Sequence, residues 1–119
     1  ALGIRPEIVV YGTDFSSPDG SAIRDYIHVQ DLADAHVSAL KWVLAEKRSQ
    51  AVNLGTGVGH SVLEIIAAIE KHASISIPVR FEPRRAGEPA ALVADNRLAH
   101  KLLGWSPTRS NLPALIDSA

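Results

Sequence analysis

The chain has 119 residues, of which 46% are hydrophobic, so it can form one packed domain or a part of one and need not be disordered. Its formal net charge of −1 argues against the broad basic surface of a nucleic-acid-binding protein. Cysteine is absent, which excludes disulfides and a thiolate nucleophile, and no apolar run is as long as a membrane span. With no signal-peptide pattern at the N-terminus either, the sequence predicts a cytoplasmic protein without nucleic-acid or membrane partners.

Two strands and a loop are predicted at the start of the chain. Glu7–Tyr11 is a β-branched run closed by Gly12, which predicts a strand. Residues 13–21 are rich in Ser, Pro, Asp and Gly and predict a loop. The side chains of Ile23–Val29 alternate between a mostly apolar face and a polar face, which predicts a second strand.

The polar face of that second strand is the first candidate site. It carries a guanidinium, a phenol and an imidazole, on Arg24, Tyr26 and His28. Such a face suits an anionic ligand that contains a ring, because arginine binds phosphate and tyrosine can stack. An ordinary exposed strand face is the alternative that the spacing leaves open.

A helix and a third strand are predicted next. Asp31 is placed as the N-cap, with Asp34 close to a capping-box position, and the helix is expected to reach about Glu46. Capping accounts for both acids, so neither is assigned a catalytic role. The expected apolar stripe of this helix consists of Ala33, Val37, Leu40 and Leu44. Ala51–Leu54 is predicted as a strand because most of it is apolar.

A glycine-rich turn, Gly55–Gly59, follows that strand and precedes a second helix. This context resembles a dinucleotide-binding fingerprint, but the fingerprint requires glycine at position 60, where His60 stands. We therefore expect the glycines to serve a tight turn and close packing, and we assign no cofactor-binding residue here.

The remaining elements have clear start and stop signals. Ser61 and Glu64 form a capping box for a helix whose predicted buried face includes Ile66 and Ile69. The later predictions are a strand at Val79–Phe81, a loop at Pro83–Pro89, a helix from Asp95 to Gly104, an apolar anchor at Trp105 and helical turns within Leu112–Ala119. The five histidines are scattered, so no metal site is predicted.

The motifs of Arg24–Val29 and Asp31–Val37 closely resemble the C-terminal part of the UDP-glucose 4-epimerase family, in the extended short-chain dehydrogenase/reductase superfamily. Further matches follow in the same order, at Asn53–Gly59, Ser61–Glu64, Pro83–Glu88 and Leu103–Trp105. The resemblance implies an α/β fold, the C-terminal substrate-binding portion of an NAD(P)-binding Rossmann-like enzyme, with short strands alternating with helices. Residues 1–119 would be the UDP-sugar-binding portion, with the N-terminal Rossmann part outside this chain, as the lack of any methionine also suggests.

The resemblance also implies a set of substrate-binding residues. Arg24 and Arg85 would bind the UDP diphosphate, and Glu88, where the family usually has aspartate, would contact the ribose. Tyr26 and Val62 match nucleotide-contacting positions. The segment Val9, Val10 and Tyr11 would pass beside the uracil. Leu92 replaces a polar residue that faces the sugar in some members.

As the resemblance implies, the full-length enzyme is an isomerase that interconverts UDP-glucose and UDP-galactose through oxidation at C4 by NAD, rotation of the keto-sugar and hydride return. It would act as a homodimer in galactose metabolism. The superfamily's Tyr-x-x-x-Lys pair is absent here, since Phe15 and Gln30 stand four residues after the two tyrosines. The chain thus has no predicted catalytic residue and is expected to be inactive alone. The alternatives are another NAD-dependent nucleotide-sugar epimerase, dehydratase or decarboxylase, or a non-catalytic nucleotide-binding module.

Overall fold

A computed structural model describes residues 6–119. Its elements, in chain order, are β1 (Ile8–Tyr11), β2 (Ile23–Arg24), α1 (Val29–Glu46), β3 (His60–Ser61), α2 (Val62–Ala73), β4 (Val79–Glu82), β5 (Ala91–Leu92), α3 (Arg97–Leu103) and α4 (Leu112–Asp117). The predicted alternation of short strands with helices is confirmed. The chain divides into two compact units, of which the first runs to Arg24 and resumes over Gly59–Leu92, and the second comprises Asp25–Val58 and Val93–Ala119.

The first unit contains two small sheets and α2. Strands β1 and β4 pair in parallel, with Ile8 opposite Val79 and Tyr11 opposite Glu82. Strand β2 lies between β3, which is antiparallel to it, and β5, which is parallel. The predicted capping box of α2 is present, because Ser61 accepts from the Glu64 N–H and Glu64 accepts from the Ser61 N–H. The core of this unit consists of Val10, Ile66 and Ile77, with Val62, Leu63, Ile69 and Val79 packed around it.

The predicted strand Ile23–Val29 is wrong beyond its first two residues. Only Ile23 and Arg24 pair, because β3 and β5 each offer two residues to the ladder. From Asp25 the chain leaves the sheet, and the Asp25 carboxylate accepts hydrogen bonds from Thr56, Gly57 and Ala94 instead. Alternating side chains describe an extended segment equally well, so periodicity alone could not distinguish the two.

The N-cap of α1 is His28 rather than Asp31. The His28 backbone is extended, and its Nδ1 atom lies 3.0 Å from the Gln30 nitrogen, whose N–H it accepts. Asp31 lies within the first turn and is 1% exposed. The expectation was wrong because an imidazole can cap a helix, and because Asp31 has partners far along the sequence.

Those partners make Asp31 the polar centre of the second unit. Its carboxylate accepts from Ser110 Oγ at 2.6 Å, from the Arg109 N–H at 2.9 Å and from the Thr108 N–H at 3.2 Å. Its carbonyl accepts from Trp105 Nε1 at 2.9 Å. Burial alone would raise the pKa of Asp31, but these hydrogen bonds and the Arg109 charge lower it below its ordinary value. The carboxylate therefore stays ionised while it holds the segment that follows Trp105.

The apolar stripe predicted for α1 faces solvent. Val37 is 54% exposed, Leu40 61% and Leu44 69%. The buried contact of this helix is made by Ala35, which packs with Ala99 of α3 and with Trp105. The small residues Ala35 and Ala99 allow the two helices to approach closely. A helical stripe of large apolar residues does not indicate this kind of contact.

The other predictions for the second unit are mostly confirmed. Gly104 ends α3 in the left-handed conformation, and Trp105 is buried as expected. Asn96 is the N-cap of α3, whereas Asp95 accepts the N–H of Arg97. Ala51–Leu54 is not a strand among the described residues, because Val52 and Leu54 pack against the cluster of Trp105 instead of joining a ladder. None of the described helices combines the length and apolarity needed to cross a membrane.

We expect Asp31→Asn to lower the free energy of unfolding by about 2–3 kcal/mol, since the amide places an N–H₂ group against buried donors. Urea denaturation measures this change. The matched control is Asp34→Asn, which removes an exposed carboxylate 2.9 Å from Arg109 and should cost about 0.5 kcal/mol or less. Equal costs in the two variants would contradict a central role for Asp31.

Candidate nucleotide-binding site

Two of the predicted site residues meet where a parallel strand pair ends. Tyr11 is the last residue of β1 and lies opposite Glu82, the last residue of β4. The loop Pro83–Pro89 follows β4 directly and carries Arg85. Ligands of α/β sheets bind preferentially at the carboxyl ends of parallel strands, so this position suits a binding site.

The Arg85 guanidinium stacks on the Tyr11 ring. Its central carbon lies 4.0 Å from the ring centroid, well within the range of a cation–π contact. The ring is partly accessible, with Tyr11 37% exposed. An arginine held in this way keeps its N–H groups available at the edge of the guanidinium plane.

Arg85 differs from the other arginines of residues 6–119 in lacking a carboxylate partner. The remaining pairs are Arg24 with Glu88, Arg48 with Glu46, Arg80 with Glu7 and Glu82, Arg84 with Asp14, Arg97 with Asp95, and Arg109 with Asp31 and Asp34. Its uncompensated charge and fixed orientation suit an external anion such as a diphosphate.

The second predicted cation, Arg24, forms an ion pair with Glu88. Arg24 Nη2 lies 2.7 Å from Glu88 Oε1, and both side chains are about three-quarters buried, at 23% and 24% exposure. Arg24 Nη1 also donates to the carbonyls of Ile23 at 2.7 Å and Pro89 at 3.2 Å. The Pro89 contact had no sequence signal, because a backbone carbonyl depends on the path of the loop.

Glu88 retains one unused acceptor within the described part of the chain. Its Oε2 atom is buried and has no hydrogen-bond partner there. Buried polar atoms are nearly always satisfied, so this oxygen is a candidate acceptor for a ligand hydroxyl. This arrangement agrees with the predicted ribose contact, which stays a prediction.

The other predicted residues have different surroundings. Val10 is 2% exposed and belongs to the core, so only its backbone can meet a ligand. Val9 is partly buried, and Val62 is partly buried and packs against the same core. Tyr26 belongs to the second unit and is partly buried. Leu92 is 55% exposed and lies opposite Arg24 in the sheet.

Gly12 lies next to the candidate site but outside the matched motifs, so the resemblance did not indicate it. It has a φ of +83°, and a Cβ built on it would clash with the Phe15 ring and lie 2.8 Å from Arg84 Cβ. Glycine thus permits the chain after Tyr11 to pass close to Arg84 in the loop Pro83–Pro89. Its position immediately after a predicted strand was the available signal.

The glycine-rich turn has a geometry that does not fit a dinucleotide. The N–H groups of Thr56 and Gly57 donate to the Asp25 carboxylate at 2.8 and 3.0 Å, so they are occupied where a diphosphate would need them. A Cβ on Gly55 would lie 2.5 Å from the same carboxylate, which explains the glycine. Residues 6–119 contain no cluster of three His, Asp or Glu side chains suited to a metal ion.

Residues 7–117 match the family model described as GDP-mannose 4,6 dehydratase. The chain belongs to this family. It is 47% identical over 119 residues to the UDP-glucose 4-epimerase of Rhizobium meliloti (strain 1021), and 43% identical to that of Lacticaseibacillus casei, covering 100% of this chain and 36% of each relative. The chain thus spans about a third of the length of the curated relatives it matches.

Solved structures of relatives share the fold. One is UDP-glucose-4-epimerase from Stenotrophomonas maltophila with bound NAD and formylated UDP-arabinopyranose, at a TM-score of 0.90 and 46% identity over 97% of this chain and 34% of that chain. Another, UDP-glucose 4-epimerase from Brucella ovis in complex with NAD, has a TM-score of 0.87 and is 48% identical over 95% of this chain and 35% of that chain. The predicted fold, that of the C-terminal portion of an extended short-chain dehydrogenase/reductase, is confirmed.

The hydrogen bonds to Asp25 make stability depend on pH. Burial would raise the pKa of Asp25, but the bonds from Thr56, Gly57 and Ala94 lower it below its ordinary value. The stabilisation is therefore complete above the unfolded-state pKa and is lost as pH falls through the folded-state pKa. We expect Asp25→Asn to destabilise the protein more at about pH 7 than at about pH 3.

Urea unfolding at both pH values measures this difference. The control is Asp14→Asn, which removes an exposed carboxylate 3.7 Å from Arg84 and should change stability little at either pH. A cost of Asp25→Asn that does not vary with pH would contradict the assignment.

Proposed function

We propose that this chain binds the UDP moiety in an NAD-dependent UDP-glucose 4-epimerase that interconverts UDP-glucose and UDP-galactose in galactose metabolism. The observation that carries the proposal is Arg85, an arginine without a carboxylate partner among the described residues, stacked on Tyr11. The similarity to UDP-glucose 4-epimerases over the whole chain supports the identity of the anion.

Each group of the UDP has a candidate partner in the first unit. The Arg85 guanidinium has no carboxylate partner among the described residues and can pair with phosphate oxygens in bidentate fashion. Arg24 already pairs with Glu88 through Nη2 and with two carbonyls through Nη1, so its remaining N–H groups are the ones offered to the diphosphate. Glu88 Oε2 is an available acceptor for a ribose hydroxyl. The backbone of Val9–Tyr11 lies in strand β1, where we expect it to border the base. Tyr26 and Val62 complete the proposed substrate-binding set by family match.

This division of labour suits an epimerase. Binding energy placed on the nucleotide and diphosphate holds the substrate while the sugar stays free to turn. Leu92 offers no hydrogen bond to the sugar, which favours loose recognition. The names of relatives agree with a range of sugars, since they include a bifunctional UDP-glucose and UDP-xylose 4-epimerase of Arabidopsis thaliana and a UDP-Glc/GlcNAc 4-epimerase of Campylobacter jejuni.

We further propose that residues 1–119 work with an N-terminal Rossmann part that holds NAD and supplies the catalytic residues, in a cytoplasmic homodimer. This proposal is supported by the match, which covers only 36% of the relative's length. It is also supported by the glycine-rich turn, where the Thr56 N–H donates to Asp25 and is not available to a dinucleotide. The exposed apolar stripe of α1 also supports it, because such a surface is normally covered.

Replacing Arg85 with Ala should weaken UDP binding by about 1.5–3 kcal/mol, because a charge-assisted hydrogen bond to phosphate is lost. Calorimetry on the full-length protein measures it. Arg84→Ala is the matched control, since the neighbouring arginine already pairs with Asp14 and stacks on Phe15, and its effect on UDP affinity should stay within about 0.5 kcal/mol. Equal UDP affinity in Arg85→Ala and the parent would remove Arg85 from the site.

The purified 119-residue chain should show neither epimerase activity nor NAD affinity, because its glycine-rich turn is occupied by Asp25 and it lacks a Tyr-x-x-x-Lys pair. Fluorescence titration with NAD tests this, with UDP as the positive ligand. Saturable micromolar binding of NAD would overturn the proposal and restore the turn as a cofactor loop.

A further inference from the structure

We propose that Tyr11 is the positioning residue of Arg85: its ring holds the guanidinium at the strand end, oriented to receive the diphosphate. This inference rests on the proposed function, because it concerns the same anion site. It assigns to the side chain of Tyr11 a task separate from any contact between the Val9–Tyr11 backbone and the uracil.

The carboxylates closest to Arg85 in the sequence, and the carboxylate partner of its neighbour Arg84, are all paired with other arginines. Glu82, which lies opposite Tyr11, forms an ion pair with Arg80. Asp14 pairs with Arg84, and Glu88 pairs with Arg24. Each of these acids has another arginine as its partner, and none of them forms an ion pair with Arg85 in the described structure. The Tyr11 ring is what fixes its guanidinium in the described structure, without neutralising the charge.

The strand makes Tyr11 a rigid support for Arg85. Tyr11 is anchored in β1 through its pairing with β4, whereas Arg85 is an exposed residue of a loop. Arginine has a long side chain that loses much rotamer freedom when it binds. Stacking on a ring fixed by a strand removes part of that freedom before the ligand arrives, which improves affinity by preorganisation.

The ring face of Tyr11, and not its hydroxyl, holds Arg85. The contact is made to the face of the ring, 4.0 Å from its centroid, and a cation–π attraction uses the ring face and not the hydroxyl. Phenylalanine should therefore replace tyrosine without loss, whereas leucine keeps an apolar side chain but removes the attraction. The pair of substitutions separates positioning from simple filling of space.

The test measures affinities of UDP and of uridine for the full-length protein by calorimetry, in Tyr11→Phe, Tyr11→Leu, Arg85→Ala and the double variant. Uridine lacks the diphosphate, so the ratio of the two affinities reports the contacts that Arg85 and Arg24 make with the diphosphate, free of any contact with the base or loss of folded protein. We expect Tyr11→Leu to lower this ratio about two- to fivefold, as loss of an exposed cation–π contact implies. Tyr11→Phe should leave it unchanged.

In the Arg85→Ala background, Tyr11→Leu should no longer affect the ratio, because the two residues act as a unit. The inference is overturned if Tyr11→Leu leaves the ratio at the parent value, or if Tyr11→Phe lowers it as much as leucine does. If Arg85→Ala itself leaves the ratio unchanged, the proposed diphosphate site fails together with the inference. A reduced ratio in Arg85→Ala with an unaffected Tyr11→Leu overturns the positioning role alone.

Discussion

A charged group removed from water needs a partner, and this requirement organises both units of the chain. In the second unit, Asp25 and Asp31 are ionised carboxylates that draw backbone N–H groups and hydroxyls from segments distant in sequence. In the first unit, Arg24 pairs with one oxygen of Glu88, while the other, Oε2, has no partner among the described residues. Once these pairs are made, Arg85 retains an uncompensated charge among the described arginines, and the fold places it at the end of a parallel strand pair. The candidate site is thus the place where a described arginine has no carboxylate partner, because the other described arginines are paired.

Local signals were sufficient where the deciding contact is local. The capping box of Ser61 and Glu64, and the left-handed Gly104, were predicted because each involves residues a few positions apart. The predictions failed where the deciding partner is distant. Asp31 has the local sequence context of an N-cap, but in the fold its carboxylate is bound by Ser110 and its neighbours. Ala51–Leu54 has the composition of a strand, but its apolar residues pack on the cluster of Trp105. Tertiary contacts overrode local pattern in both cases.

The candidate site shows the same division. Arg24, Arg85 and Glu88 could be named from motif resemblance, which carries information that a single sequence lacks. The ion pair between Arg24 and Glu88 spans 64 residues, so no spacing rule could have indicated it. The stacking of Arg85 on Tyr11 joins the end of β1 to the loop that follows its partner strand β4. Both contacts emerge only when the sheet is assembled.

The most direct test of the central claim, that Arg24 and Arg85 together hold a diphosphate, is a crystal structure of the full-length protein with UDP. We expect guanidinium nitrogens of both arginines at about 2.7–3.2 Å from diphosphate oxygens, with Glu88 at the ribose. A UDP molecule whose diphosphate lies away from both arginines would contradict it.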